Sequence, residues 1–316
     1  MDARVGADDS TADLGTGRPE RATRTAPGRA SLADRLKTYA LWPLPQHALS
    51  RATLWATRRE SRLAAPAIRR FARVFDVDMA DALEPDLDAY PSFNAFFTRA
   101  LKSDARPIAN AAAAVACPAD GRVSALGEVR DARVLQAKGV DYSLYALLGG
   151  DGEATERLGR GSFATVYLSP RDYHRVHMPR AGTLLRQTRV PGRLFSVGPH
   201  AVRAREELFA RNERVVALFE TAEGLMALVL VGAINVAAID TVWYGAVTPR
   251  VARDVQRIDY DGEGRPTLER GAEMGRFNMG STVIALFERR VAWDAALGVE
   301  TPVRMGQSLG DLAPTG

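Results

Sequence analysis

The chain has one cysteine, four histidines and few aromatic residues (7%) among its 316 residues. One thiol excludes an intramolecular disulfide framework, and Cys117 alone cannot build a zinc cage. No run reaches the ~18 to 20 consecutive apolar residues that a membrane-spanning helix needs. The longest candidate, 225–239, is broken by Gly232 and Asn235 and reads as buried sheet. The N-terminus has no apolar signal-peptide core, so we expect a soluble or membrane-surface protein inside the cell. With 46% hydrophobic and 25% charged residues, the chain can bury a substantial core in one large domain or two smaller ones.

The net charge of +4 is unevenly spread. Residues 1–30 carry five arginines and five acidic residues, show no periodicity, and read as a disordered tail. Residues 31–73 hold nine basic residues against Asp34 and Glu60, a net +7, which leaves 74–316 at −3. The same stretch contains Leu36, Trp42, Leu54, Trp55, Leu63, Ile68 and Phe71 at spacings of three and four, broken by Pro43, Pro45 and Pro66. It predicts two or three short amphipathic helices. A basic face opposite Trp and Leu suits an anionic membrane interface, and equally a helical hairpin packed on the domain with a solvated basic face. Nucleic acid is a weaker third partner, because the later body is slightly acidic and shows no recognisable nucleic-acid module.

From about Val115 the pattern changes to short apolar runs between Gly, Pro and Asp: 163–168, 215–220, 225–231, 235–239 and 282–287. Runs of this length with β-branched and aromatic residues predict strands. They do not alternate with long helical patterns, so a doubly wound parallel sheet is not expected. The expected fold is α+β: a mainly antiparallel, β-rich body over 91–316 behind an amphipathic helical section over 31–90.

Three short motifs could carry chemistry. YHRVHMP (173–179) holds His174 and His177, two general-base candidates within four residues, though both could simply pack a loop. No nearby Cys or His completes a ligand set, so no metal is expected. CPADG (117–121) offers Asp120, either an ordinary Asp-Gly turn or an acid that orients a histidine. GRFNMGSTVIALFE (275–288) contains Gly280-Ser281-Thr282, either a turn before a strand or a self-cleavage site. A serine hydroxyl can attack the carbonyl of the residue before it, and glycine there leaves the approach open.

Together these segments resemble the bacterial-type short form of phosphatidylserine decarboxylase, over roughly residues 36–310. The matching stretches include FNAFFTRALKSDARPI (93–108), PADGRVSALGEV (118–129), YLSPRDYHRVHMPRAGTLL (167–185), VPGRLFSVGPHAV (190–202), LFARNERVVALFET (208–221) and the Gly-Ser-Thr segment, in the family's order. The resemblance implies a proenzyme cut between Gly280 and Ser281 into a β chain, 1–280, and an α chain, 281–316. Ser281 would become a covalent pyruvoyl group, the site of a Schiff base with substrate. His177 and Asp120 would complete the self-cleavage triad. His174 would serve the decarboxylation step, and Ser196 would lie in the substrate site. Phosphatidylserine would be converted to phosphatidylethanolamine and CO2 at the cytoplasmic side of the cell membrane, by a peripheral homodimer in contact with anionic lipid. Two departures stand out: Met279 where the family most often has Leu, and Gly198-Pro199-His200 where Asn-His is common.

Overall fold

The computed structural model describes residues 46–137, 140–198, 201–202, 207–233, 238–249, 254–278 and 282–314. The expected tail at 1–30, the start of the basic segment at 31–45, His200, and the bond between Gly280 and Ser281 lie outside the described residues.

The largest sheet has nine antiparallel strands. In order it runs β12 (Gln256–Asp259), β7 (Gly182–Val190), β8 (Arg214–Thr221), β9 (Gly224–Val231), β15 (Thr282–Phe287), β5 (Ser162–Tyr167), β2 (Gly121–Glu128) and β17 (Pro302–Val303); β13 (Thr267–Leu268) also pairs with β7. A four-stranded sheet orders β11 (Gly245–Ala246), β10 (Ile239–Thr241), β14 (Glu273–Phe277) and β6 (Arg175–His177). A three-stranded sheet orders β1 (Ala114–Ala116), β18 (Ser308–Leu312) and β16 (Val291–Trp293), and β3 (Arg133–Ala137) pairs with β4 (Val140–Ser143). The helices are α1 (Gln46–Arg58), α2 (Ala64–Phe75), α3 (Phe93–Phe97), α4 (Leu144–Leu147), α5 (Gly152–Leu158) and α6 (Leu208–Arg211). This is the expected β-rich, antiparallel body.

The uninterrupted apolar runs have a simple cause: the central strands are buried on both faces. Along β15, Val283, Ala285 and Phe287 enter one apolar cluster while Ile284 and Leu286 enter another. Strand β9 splits in the same way, with Met226, Leu228 and Leu230 on one side and Ala227, Val229 and Val231 on the other. The first cluster continues into the two smaller sheets through Val176, Ile239, Met274, Phe277 and Leu309. The second is closed by the short helices through Leu144, Leu147, Leu158 and Phe209. The large sheet is therefore a middle layer. Four expected strands coincide with β5, β8, β9 and β15; of the run 235–239 the described part begins at 238, and Ile239 opens β10.

The basic segment forms helices α1 and α2. Pro66 does not break the second helix, as the proline spacing suggested, but occupies its third position, where its missing N–H has no intrahelical partner to lose. Ile68 and Ala72 of α2 face inward and join Phe96 and Phe97 of α3 in a third apolar cluster. The outer surface leaves Trp55, Leu63 and Val74 at 63%, 77% and 65% exposure, beside Arg69, Arg70 and Arg73. One face packs and the other carries exposed apolar groups and arginines, of which Arg69 pairs with Asp88 and Arg59 lies over the Trp55 ring.

Gly121 is not a hairpin turn but the first residue of β2. It lies so close to β5 that a Cβ would stand 2.2 Å from the Tyr167 carbonyl oxygen. Gly121→Ala should therefore force the strands apart and cost about 1–3 kcal/mol of stability, measured by denaturant unfolding. Unchanged stability would show that this approach is not constrained.

Candidate active site

Strand β6 is only three residues long, yet both of its long edges are occupied by site-forming backbone. Its partner β14 pairs Glu273 with His177, and the Phe277 N–H donates to the His174 carbonyl at 3.0 Å. On the other side the His177 N–H donates to the Pro118 carbonyl at 2.8 Å, which brings the PADG segment alongside. Strand β14 ends at Phe277 and β15 begins at Thr282, so residues 278–281 link the four-stranded sheet to the centre of the large one. The two histidines thus stand beside the strand that leads into the Gly-Ser-Thr segment.

His177 is fixed at both ring nitrogens. Nδ1 lies 2.8 Å from the Gly271 carbonyl, an acceptor only, so Nδ1 carries the proton. Nε2 then holds a lone pair and accepts from the Tyr173 hydroxyl at 3.0 Å. Burial lowers the His177 pKa, opposed by the Gly271 hydrogen bond, and burial pushes the Tyr173 phenol up to about 12. The pair is a neutral base with a protonated phenol across its lone pair.

His174 has no exposed surface. Its Nδ1 donates to the Asp172 carbonyl at 2.7 Å and its ring lies 4.1 Å from that of Phe97, while Nε2 is buried without a partner. Burial pushes its pKa down to about 3, with the nearby Arg99 charge acting in the same direction. Here Nε2 is a free acceptor, not a proton donor.

Asp120 is 8% exposed. Its carboxylate accepts from Arg106 Nε at 3.0 Å and Nη2 at 2.6 Å, and from the Met305 backbone N–H at 2.8 Å. Arg106 also donates to Asp81 at 2.6 Å, so one guanidinium holds two carboxylates and lowers the Asp81 pKa. Among the described hydrogen bonds none joins Asp120 to His177: the carboxylate oxygens are taken by Arg106 and Met305, and the Gly271 carbonyl sets the imidazole tautomer. The negative charge of Asp120 still acts on His177 through space, favouring the protonated ring.

Ser196 is half-buried, and its hydroxyl accepts from the Gly198 N–H at 3.3 Å, a contact within its own loop. The described contacts do not bring it to either histidine. Tyr173, Gly271 and Arg106 were not singled out in the sequence. Tyr173 and Arg106 lay inside matched segments, in YHRVHMP and SDARPI, but Gly271 acts through its carbonyl and leaves no side-chain signal.

A small ketoacyl group with oxygen acceptors and an incoming amine needs nearby polar atoms that are not already paired. Asn278 Oδ1 and Thr282 Oγ1, on either side of 279–281, are both buried without partners, as is His174 Nε2. These residues fit such a group.

The two buried histidines also set an acid sensitivity. Between the ordinary histidine value of 6.5 and about 3, the unfolded chain binds a proton at position 174 that the native state refuses. Stability should therefore fall as pH drops from 6.5 towards 3, and His174→Gln should flatten that slope in pH-dependent denaturant unfolding. An unchanged slope would place the sensitivity elsewhere.

A family model described as Phosphatidylserine decarboxylase matches residues 93–311, and a second, described as PSD, matches residues 36–76. A phosphatidylserine decarboxylase proenzyme of Alkalilimnicola ehrlichii is 54% identical over 260 residues, covering 82% of this chain and 90% of its own length. Proteins of the same name from Methylococcus capsulatus and Pseudomonas aeruginosa are 50% and 54% identical over 283 and 287 residues, covering 89% and 88% of this chain and 98% of theirs. With the matched region spanning both histidines, Asp120 and the Gly-Ser-Thr segment, this chain belongs to the phosphatidylserine decarboxylase family.

Proposed function

We propose that the chain is a self-cleaving proenzyme that converts phosphatidylserine to phosphatidylethanolamine and CO2. The observation that carries this reading is the pair of buried, neutral imidazoles whose Nε2 lone pairs sit beside the strand entering the Gly-Ser-Thr segment. For maturation, His177 Nε2 takes the Ser281 hydroxyl proton, with Tyr173 passing its own proton to Nε2 as it accepts the serine's. Ser281 Oγ then attacks the Gly280 carbonyl carbon, the Gly280–Ser281 C–N bond breaks, and His177 returns the proton to the departing nitrogen, leaving an ester. Loss of the Ser281 Cα proton with breakage of its Cβ–Oγ bond then frees the Gly280 carboxylate and leaves dehydroalanine, which water hydrolyses to the keto terminus and ammonia. Asp120 favours the transient imidazolium through space. The Thr282 hydroxyl, unpartnered in the described structure, is available to donate to the oxyanion.

Pyruvoyl at position 281 would supply an electrophilic ketone and an electron sink for the charge left by CO2. The Thr282 hydroxyl would donate to its oxygens, and Asn278 Oδ1 would accept from the incoming amine. His174 Nε2, a buried acceptor, would accept a hydrogen bond from the substrate amine and orient it for the decarboxylation step. Burial of both rings keeps bulk water from these contacts. The cut need not separate the chains, because β15 is hydrogen-bonded on both sides to β9 and β5, while β17 and β18 pair with β2 and β1.

A diacyl lipid leaves a bilayer at a cost of about 0.8 kcal/mol per CH2, so the headgroup is best met at the membrane surface. Among the described residues no helix is long and apolar enough to span a membrane. Trp55, Leu63 and Val74 with their neighbouring arginines would instead dock a peripheral homodimer on anionic lipid at the cytoplasmic face.

Ser281→Ala should give an uncut 316-residue chain that forms no phosphatidylethanolamine, where the unaltered protein shows fragments of 280 and 36 residues on a denaturing gel. Cleavage of the variant, or turnover by an uncut unaltered chain, would remove the proposed site. The combined change of Trp55, Leu63 and Val74 to Ser should lower sedimentation with phosphatidylglycerol-containing liposomes by roughly tenfold while cleavage proceeds. Equal sedimentation would return the outer helix face to a solvated role.

A further inference from the structure

Arg99 is the last residue of the FNAFFTR segment and is buried, at 5% exposure. One Nη2–H donates to the Arg171 carbonyl at 3.1 Å, and the guanidinium lies 5.6 Å from the centre of the Phe96 ring. Its Nε is buried without a partner, and among the described residues no carboxylate lies within ion-pair distance. That is an unusual state for an arginine. A guanidinium carries five N–H donors and almost never sheds its proton, so a desolvated one calls for an anion. Burial disfavours the charge here, offset in part through space by Tyr90, Asp120 and Asp172.

Arg99 borders a cavity of about 570 Å³ whose wall also includes Tyr173, Asp120 and Arg171. Tyr173, whose hydroxyl bonds His177, is thus part of the cavity wall, and Arg99 lies close enough to His174 to depress its protonation. The acidic groups on this wall are mostly committed: Arg106 holds Asp81 and Asp120, and Asp172 accepts from Ser169. Asp76 and Asp78 are exposed, on the turn that ends α2, and so belong to the rim.

We propose that Arg99 is the binding residue for the phosphodiester of the lipid headgroup, which enters this cavity and completes the guanidinium's hydrogen bonds. The inference rests on the function proposed above. The substrate carries two anions, and the chemistry selects between them. An arginine on the carboxylate would stabilise a charge that is lost as CO2 forms, and so would favour the ground state over the transition state. The phosphodiester keeps its charge throughout, so binding it does not oppose the reaction. Its two free oxygens also match the planar donor edge of a guanidinium better than an ammonium could.

The test compares the processed protein with R99Q and R99K. Cleavage is read on a denaturing gel, kcat and KM are measured with phosphatidylserine in mixed micelles, and inhibition is measured with glycerophosphoglycerol, inorganic phosphate and acetate. R99Q should cleave normally, raise KM roughly tenfold and lose inhibition by glycerophosphoglycerol, with R99K intermediate. Unchanged KM and inhibition in R99Q would overturn the inference. So would selective loss of acetate inhibition, which would assign Arg99 to the carboxylate, or inhibition by inorganic phosphate without the diester, which would assign it to free phosphate. Failure of R99Q to cleave would move Arg99 into maturation and overturn it too. If R99Q does not fold, R99K decides: unchanged KM and diester inhibition there contradict bidentate phosphate binding. Failure of the unaltered protein to cleave or turn over would instead defeat the functional reading itself.

Discussion

Burial of two imidazoles in their neutral form is the constraint on which the rest of the structure depends. An exposed histidine near neutral pH divides its time between acid and base, and neither nitrogen is assigned. Here the carbonyl oxygens of Asp172 and Gly271 each accept a hydrogen bond from an Nδ1–H, and desolvation disfavours a second proton at Nε2. Both rings then present a lone pair from a set position. In the hydrolytic triad a carboxylate performs that orienting role. In this chain a backbone carbonyl does so for His177, and the nearby carboxylate is held by Arg106 at the second remove.

The same burial couples the helical layer to the chemistry. Ile68 and Phe71 of α2 pack with Phe96 and Phe97 of α3, and Phe97 closes directly on the His174 ring. Arg175 reinforces the junction by donating to the Thr98 carbonyl at 3.0 Å and pairing with Glu273 of β14. The segment whose outer face carries exposed Trp55 and Leu63 is thus, on its inner face, part of the wall around a site histidine. The packed-hairpin reading of the basic stretch accounts for the inner face of α2, and the proposed membrane contact concerns only the outer one.

Much of this was legible in the sequence because burial on both faces leaves continuous apolar runs; β15 begins and ends where its run does, at Thr282 and Phe287. The two histidines were legible because few residue types serve as bases at neutral pH and the chain has only four of them. The partners were not. Nothing in Asp120 announces that Arg106, fourteen residues earlier, would claim it, since such a pairing is made by strand packing and not by spacing. Gly271 contributes a carbonyl that any residue possesses. Pro66 misled because a proline that stops a helix in mid-run is harmless in the first turn, and only the helix start tells the two apart.

With four histidines in the chain, the imidazole states can be read individually. Nitrogen chemical shifts of the histidine side chains, measured by NMR on selectively labelled protein from pH 7.5 down to 5, test the central claim most directly. The account predicts that the rings lost in His174→Gln and His177→Gln both carry a protonated Nδ1 and an unprotonated Nε2 at neutral pH, and that the His174 ring keeps that state down to pH 5. An imidazolium signal from the His174 ring at pH 6, or the opposite tautomer of either ring at neutral pH, would contradict it.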